Sequence, residues 1–253
     1  MITVHDGARD AQEQARCFAP WAARYGVVLV APLFPENNFS DYHCLGYRGK
    51  GERADQALDQ IISEVNRLTG AHTAKFYLFG FSEGAQFVHR YALAYPQRIA
   101  RMVVAAADWY TFPDSATNYP FGTKKVPQLP NVRFEPAHFL KVPACVIVGD
   151  EEADRKDSLI KSPQANHHQG PTRFDRGKNW IQAMRAAART YALNTPYGFH
   201  VLPGCTHSFR HCMDRYRLGR LVFDFLFGPA TALKTDIFWK MSNFGHRTEH
   251  LPN

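Results

Sequence analysis

Apolar positions along the chain follow two rhythms. Short unbroken runs at Val27-Val28-Leu29-Val30-Ala31, Phe76-Tyr77-Leu78-Phe79, Ile99 to Ala107, Val142 to Gly149 and Phe199-His200-Val201-Leu202 have the length of strands. Ile2-Thr3-Val4 reads as the end of another strand, running into His5-Asp6-Gly7-Ala8-Arg9. Between these runs the spacing becomes helical. Asp10 predicts a cap for a helix to about Tyr25, with Ala15, Phe18, Trp21 and Ala22 as its stripe and Gly26 as its stop. Ala54, Leu58, Ile61, Ile62, Val65 and Leu68 mark a helix from about Glu52 that Gly70 ends. Further helices are predicted after Gly84, from about Arg176 to Leu193, and from about Ser208 to Phe227. Strands that alternate with helices specify an α/β fold, a mostly parallel central sheet with helices on both faces. The reading is a single domain over residues 1–253, with the proline-rich, aperiodic 112–140 segment as a lid or cover and 229–253 as a C-terminal tail. The run from Val27 reads as fully buried.

In such sheets ligands bind beyond the carboxyl ends of the strands, and the chemistry-bearing residues of this chain fall there. Phe76 to Phe79 is followed by Gly80-Phe81-Ser82-Glu83-Gly84 and then a helical pattern. Strand, G-x-S-x-G, helix is the nucleophile elbow, in which a sharp turn lifts the serine hydroxyl clear of the sheet. The mundane alternative is a glycine-rich turn with an ordinary serine. The amide of Glu83, opening the helix, faces the same spot as an oxyanion donor. Gly7 or Ala8, after the first strand, would supply the second donor, against the alternative of a simple turn into the helix. A serine needs a base, and His207, after the last strand in Pro203-Gly204-Cys205-Thr206-His207, is the first choice over His200 and His211. The acid that orients it comes from the cluster after Gly149, as Asp154 or Glu152, with Asp150 and Glu151 nearer the strand and suited to capping. Trp109 and Tyr110, past the fourth strand, are either core packing or the wall of an acyl pocket. Cys205, His207, His211 and Cys212 also suggest a zinc site, but their spacing is poor for closing a tetrahedron.

Composition removes several function classes. The formal charge is +7, but the basic residues are dispersed among acidic ones with no basic run, which disfavours nucleic acid as a partner. No stretch reaches the length of a membrane span, and the N-terminus lacks the basic and apolar regions of a secretory signal. Five irregularly spaced cysteines favour mostly free thiols and a reducing, cytoplasmic setting, with one disulfide left open. Oligomeric state has no signature in the sequence.

Together these residues resemble the α/β-hydrolase superfamily, and within it the polyhydroxyalkanoate-depolymerase-like esterase branch. The likeness spans residues 3–227 and rests on His5-Asp6-Gly7, Ala31 to Pro35, Gly80 to Arg90, Ala107 to Thr111, Gly149 to Asp154, QGPTRFDRG at 169–177, and Gly204 to His207. It implies a serine hydrolase of carboxylic esters, small-molecule or oligomeric, carried by Ser82, His207 and Asp154 or Glu152 through an acyl-enzyme, with no cofactor. An acyltransferase on the same triad and a catalytically inactive binding module are the competing readings. The chain departs from the branch in starting at what corresponds to the third strand, in placing the charged Glu83 beside the oxyanion amide, in having Glu152 where an aspartate is common, and in having Asp6 in the oxyanion loop.

Overall fold

The computed structural model describes residues 1–124, 127–151 and 163–228. In chain order the elements are β1 (Ile2–Val4), α1 (Ala11–Tyr25), α2 (Glu36–Phe39), α3 (Ala54–Thr69), β2 (Phe76–Phe81), α4 (Glu83–Ala94), β3 (Ile99–Ala105), α5 (Pro136–Phe139), β4 (Ala144–Gly149), α6 (Pro163–Gln169), α7 (Arg173–Thr190), β5 (Tyr197–Leu202), α8 (Phe209–Arg215) and α9 (Leu218–Phe227). The five strands pair in the order β1-β2-β3-β4-β5. All four ladders are parallel. Their carboxyl ends therefore lie along one rim, the geometry that the alternating pattern implies.

Local chemistry sets the helix ends. The Asp10 carboxylate accepts from the Glu13 amide at 2.8 Å, and Gly26 closes α1 at φ 63°. Thr172 caps α7 through the Asp175 amide at 3.0 Å, which starts that helix at Arg173, three residues before the position predicted from its apolar stripe.

Alternate residues of each central strand enter two different cores. Phe79, Phe81, Val103, Ala105, Cys145 and Ile147 pack against Phe18 of α1, Phe209 of α8 and Phe223 of α9. Leu78, Met102, Val104, Ala144 and Val146 face the other side, against Leu58 of α3, Phe87 and Tyr91 of α4, and Trp180 of α7. Both faces of the sheet are covered, so the strands read as continuous apolar runs.

Two expectations change, and the one open question about the cysteines is answered. The Val27–Pro32 run is not a fully buried strand: a single parallel bridge joins Val30 to Ile2, and Val28 is 40% exposed. It runs along the border of the sheet, beside β1, where only one side is paired. The long C-terminal helix is two helices, because Arg217 adopts φ 56° and breaks the run between α8 and α9. Cys205 and Cys212 form a disulfide, while Cys17, Cys44 and Cys145 are free thiols. Among the described residues no helix is long and apolar enough to cross a membrane. Residues 229–253 lie outside the described residues.

Candidate active site

Ser82 stands between β2 and α4 at φ 55°, ψ −116°, a backbone region that non-glycine residues occupy at a cost of about 1–3 kcal/mol. The surrounding structure holds it there. Its amide continues the sheet ladder by donating to Ala105 O at 2.9 Å, and its carbonyl already accepts from the Gln86 amide of α4 at 3.2 Å. The two motif glycines have separate jobs. A Cβ on Gly80 would lie 2.2 Å from Gly84 O, so the first glycine lets the helix turn back over the strand. A Cβ on Gly84 would lie 2.1 Å from Val4 O and 2.4 Å from His5 O. The second glycine thus lets the start of α4 press against the end of β1, and this contact brings the loop after β1 to the serine.

His207 meets Ser82 across the rim. Nε2 of His207 lies 3.0 Å from the serine hydroxyl; in the tautomer that accepts the hydroxyl proton, Nδ1 carries the ring proton, where an orienting carboxylate would hold it. The imidazole stacks on Phe81 with centroids 5.3 Å apart. Its loop is pinned on both sides by the Cys205–Cys212 disulfide. Gly149 allows close approach from below, since a Cβ there would lie 2.0 Å from Cys205 O. His211 is turned instead toward Thr206, its Nδ1 3.4 Å from the threonine hydroxyl, and His200 is exposed on β5. Glu152 and Asp154 both lie outside the described residues.

The loop after β1 is built around His5. Its Nε2 accepts from the Phe34 amide at 3.0 Å, and its Nδ1 donates to Asp6 O at 2.8 Å. Tyr42 adds a hydrogen bond to His5 O at 2.8 Å. Of the two expected donors, the Ala8 amide is engaged by the Asp6 carboxylate at 3.0 Å. Gly7 lies against the Glu83 side chain, whose Cδ would be 3.2 Å from a Cβ on that glycine. The Glu83 amide is the first of α4, among the helix amides that have no partner within the helix. Burial pushes the Glu83 carboxyl above its ordinary range; Arg9 opposes the shift, while Asp108, Glu36 and Asp6 reinforce it. A carboxyl that resists ionisation beside this amide is less repulsive to a negative charge placed there than an ordinary glutamate.

Asp108, at the carboxyl end of β3, was not singled out from sequence. It is buried and receives Nε of Arg173 at 2.7 Å and its Nη2 at 2.5 Å. Burial raises its carboxyl pKa, against the pull of Arg173 and of His207, which places this ion pair in the electrostatic surroundings of the imidazole. Arg176 donates to Asp108 O and, at 2.7 Å, to Asn166 Oδ1. Both arginines come from the QGPTRFDRG segment, and so does Gln169, whose amide exchanges two 2.8 Å hydrogen bonds with the backbone of Tyr110. Tyr110 is 1% exposed and stacks on Trp180 with centroids 5.0 Å apart, which favours core packing for it. Trp109 packs with Cys44, Ala165 and Phe121, under the guanidinium of Arg90 at 4.1 Å. The described part of the 112–140 segment reaches this aromatic through Phe121 and is fastened to the loop before α3 by Tyr119, which donates to Cys44 O at 3.0 Å.

No protein-family model matches the chain, and no curated protein matches it significantly. Solved structures do. Poly(aspartic acid) hydrolase-1 from Sphingomonas sp. KT-1 is similar at 24% identity and a TM-score of 0.72, over 88% of this chain and 86% of that one. LpqC, a poly(3-hydroxybutyrate) depolymerase from Bordetella parapertussis, is similar at 24% identity and a TM-score of 0.73, over 88% and 78%. An S-formylglutathione hydrolase from Agrobacterium tumefaciens matches at 11% identity and 0.53, over 89% and 83%. With its parallel sheet, its elbow serine and these neighbours, the chain has the α/β-hydrolase fold, in a form similar to the depolymerases and esterases.

Proposed function

We propose that this protein is a serine hydrolase of carboxylic esters that works through an acyl-enzyme and needs no cofactor. The observation that carries the reading is the 3.0 Å contact between the hydroxyl of a backbone-strained Ser82 and Nε2 of His207. In this reading Ser82 attacks the ester carbonyl while His207 takes its proton, and the alcohol leaves with that proton. Water then repeats the sequence on the acyl-enzyme. The amides of Glu83 and Gly7 receive the oxyanion, a contribution worth about 10²–10³ in rate per donor. Asp154 or Glu152 holds Nδ1 of His207.

The substrates are small or medium acyl esters, including oligomers of hydroxyalkanoates. A poly(3-hydroxybutyrate) depolymerase among the structural neighbours supports the polymeric end of this range. The Cys205–Cys212 bridge favours an oxidising compartment over the cytoplasmic setting suggested by cysteine count.

The test is hydrolysis of p-nitrophenyl acetate, butyrate and octanoate by the parent protein and Ser82→Ala, purified side by side, together with fluorophosphonate labelling. The parent should turn over and label, with the variant at background in both. Equal turnover by the two would remove Ser82 as nucleophile, and a folded parent that neither labels nor turns over would make the fold a catalytically silent binding module.

A further inference from the structure

We propose that Asp41, His43 and Cys44 form a zinc site, separate from the Ser82 centre and independent of the esterase reading. These three side chains project from one short turn before α3 and each offers a ligand atom, all within 4.8 Å of one another. Asp41 is 3% exposed and Cys44 0%. The side chain of His43 is 13% exposed.

Asp41 Oδ1, the oxygen that faces His43 Nε2, is buried without a hydrogen-bond partner. Buried polar atoms are almost always paired, because each loses its water on burial. Asp41 Oδ1 is 3.8 Å from His43 Nε2 and 3.9 Å from Arg48 Nε, too far for a hydrogen bond to either. That gap suits an ion. Bonds of about 2.0–2.3 Å to zinc set tetrahedral ligand atoms about 3.3–3.8 Å apart, so the carboxylate and imidazole already stand near the required separation. Closing the rest of the group takes a contraction of about 1 Å. Asp41 uses its other oxygen to accept the Arg48 amide at 3.0 Å, which aims Oδ1 at the group.

The donor set selects the metal. Thiolate, imidazole and carboxylate together favour zinc over the oxygen-seeking calcium and magnesium. Cys44 gives up its proton to solvent on ligation, so the ion's two positive charges become one net added charge. Arg48 and Arg90, whose charges reach Asp41, resist that addition and weaken the site relative to an all-cysteine one. No fourth protein ligand joins the group among the described residues, which assigns the remaining position to a solvent molecule. The backbone of the turn is already anchored, with Arg90 donating to His43 O at 2.6 Å and Tyr119 to Cys44 O. The metal would clamp the side chains of a turn whose main chain is fixed. The Cys205 to Cys212 segment, which also carries two cysteines and two histidines, has its sulfurs committed to a disulfide.

The experiment uses the full chain stripped with EDTA. Zinc is titrated with stoichiometry read by elemental analysis, and cobalt(II) replaces zinc so that a thiolate-to-cobalt absorption band in the near ultraviolet reports Cys44. One equivalent should bind to the parent, with the band lost in Cys44→Ser and kept in Cys17→Ser and Cys145→Ser. Added zinc should raise the melting temperature of the parent and leave that of Cys44→Ser unchanged. Should Cys44→Ser not fold, His43→Gln carries the comparison, with affinity falling at least about tenfold, the lower end of what loss of even a supporting partner of a ligand costs. A parent that binds no zinc or shows no band, or a band that survives in Cys44→Ser, overturns the assignment.

Discussion

Removing the Cys205–Cys212 bridge probes stability and chemistry at once, because the bridge encloses His207. The bonded residues are separated by 7 positions. In the chain-entropy description, opening a loop that short frees about 8 cal/mol/K in the unfolded chain, a loss of about 2.4 kcal/mol at room temperature. With an unfolding entropy of about 2.1 cal/mol/K per residue, the melting temperature should fall by about 5 °C. The effect on catalysis is bounded by what else holds the loop. His207 keeps its stack on Phe81, and Cys205 O still rests over Gly149. Ser208 still caps α8 by accepting from the His211 amide at 3.3 Å. The imidazole should therefore loosen rather than leave. Since a displacement of about 1 Å costs up to 10² in rate, kcat should fall about tenfold while KM stays unchanged. The perturbations are Cys205→Ala with Cys212→Ala, and the parent reduced with a phosphine, assayed by thermal melting and by p-nitrophenyl butyrate turnover. A double variant that melts within about 1 °C of the parent and keeps its kcat would refute the argument that this bridge positions the base.

Other expectations follow from the same contacts. His5→Ala removes the hydrogen bonds of the loop after β1 to the Phe34 amide and Asp6 O, so under the proposed mechanism, with Gly7 as an oxyanion donor, kcat should fall by about 10–10² with little change in KM, measured by steady-state kinetics. Glu83→Gln removes a charge beside the oxyanion amide. Its kcat/KM should exceed the parent's by up to about tenfold, and the gap should narrow as pH falls, because protonating the parent's raised carboxyl removes the same charge. His89 is buried with Nδ1 donating to Ala85 O at 2.9 Å and Nε2 accepting from the Thr111 amide at 2.9 Å, and burial holds its pKa well below 6.5. The unfolded chain then binds the extra proton first, so this residue's contribution to stability is lost as pH falls below 6.5, by about 1.4 kcal/mol per pH unit. Denaturant titrations between pH 7.5 and 5.5 should show that slope, with His43, whose pKa burial lowers to about 3, and His5 adding to it, and His89→Gln should flatten it by one proton.

The elbow was legible in sequence because its requirements are local: a strand, two glycines with a serine between them, and a helix within nineteen residues, Lys75 to Leu93. His207 was legible because chain order and a turn just before a helix single it out. What escaped depends on partners far away in the chain. Asp108 acquires its meaning from Arg173, 65 residues later, and no periodicity reports such a pair. The arginine-bearing 169–177 segment carried the resemblance, but a chemistry for it emerges only when α7 packs over the end of β3. The Val27 run misled for the same reason: apolar residues announce a strand, but its neighbours decide whether it is central or peripheral. Tyr110 and Trp109 share a position past a strand end, and only Gln169 and Trp180 assign the tyrosine to the core.

The close seat of Gly84 on Val4 and His5 has a kinetic consequence. β1 joins the sheet through the pairing of Ile2 with Leu78 and of Val4 with Gly80, a closure of about seventy-six residues, whereas the turn at Ser82 forms from neighbours in sequence. Contacts that close long loops form late and slowly in refolding. Under the proposed mechanism, Ser82 can thus be in place in a partly assembled sheet before the loop that carries Gly7 has docked. Recovery of esterase activity after dilution from denaturant should then lag the recovery of secondary structure, and the lag would time the docking of the first strand.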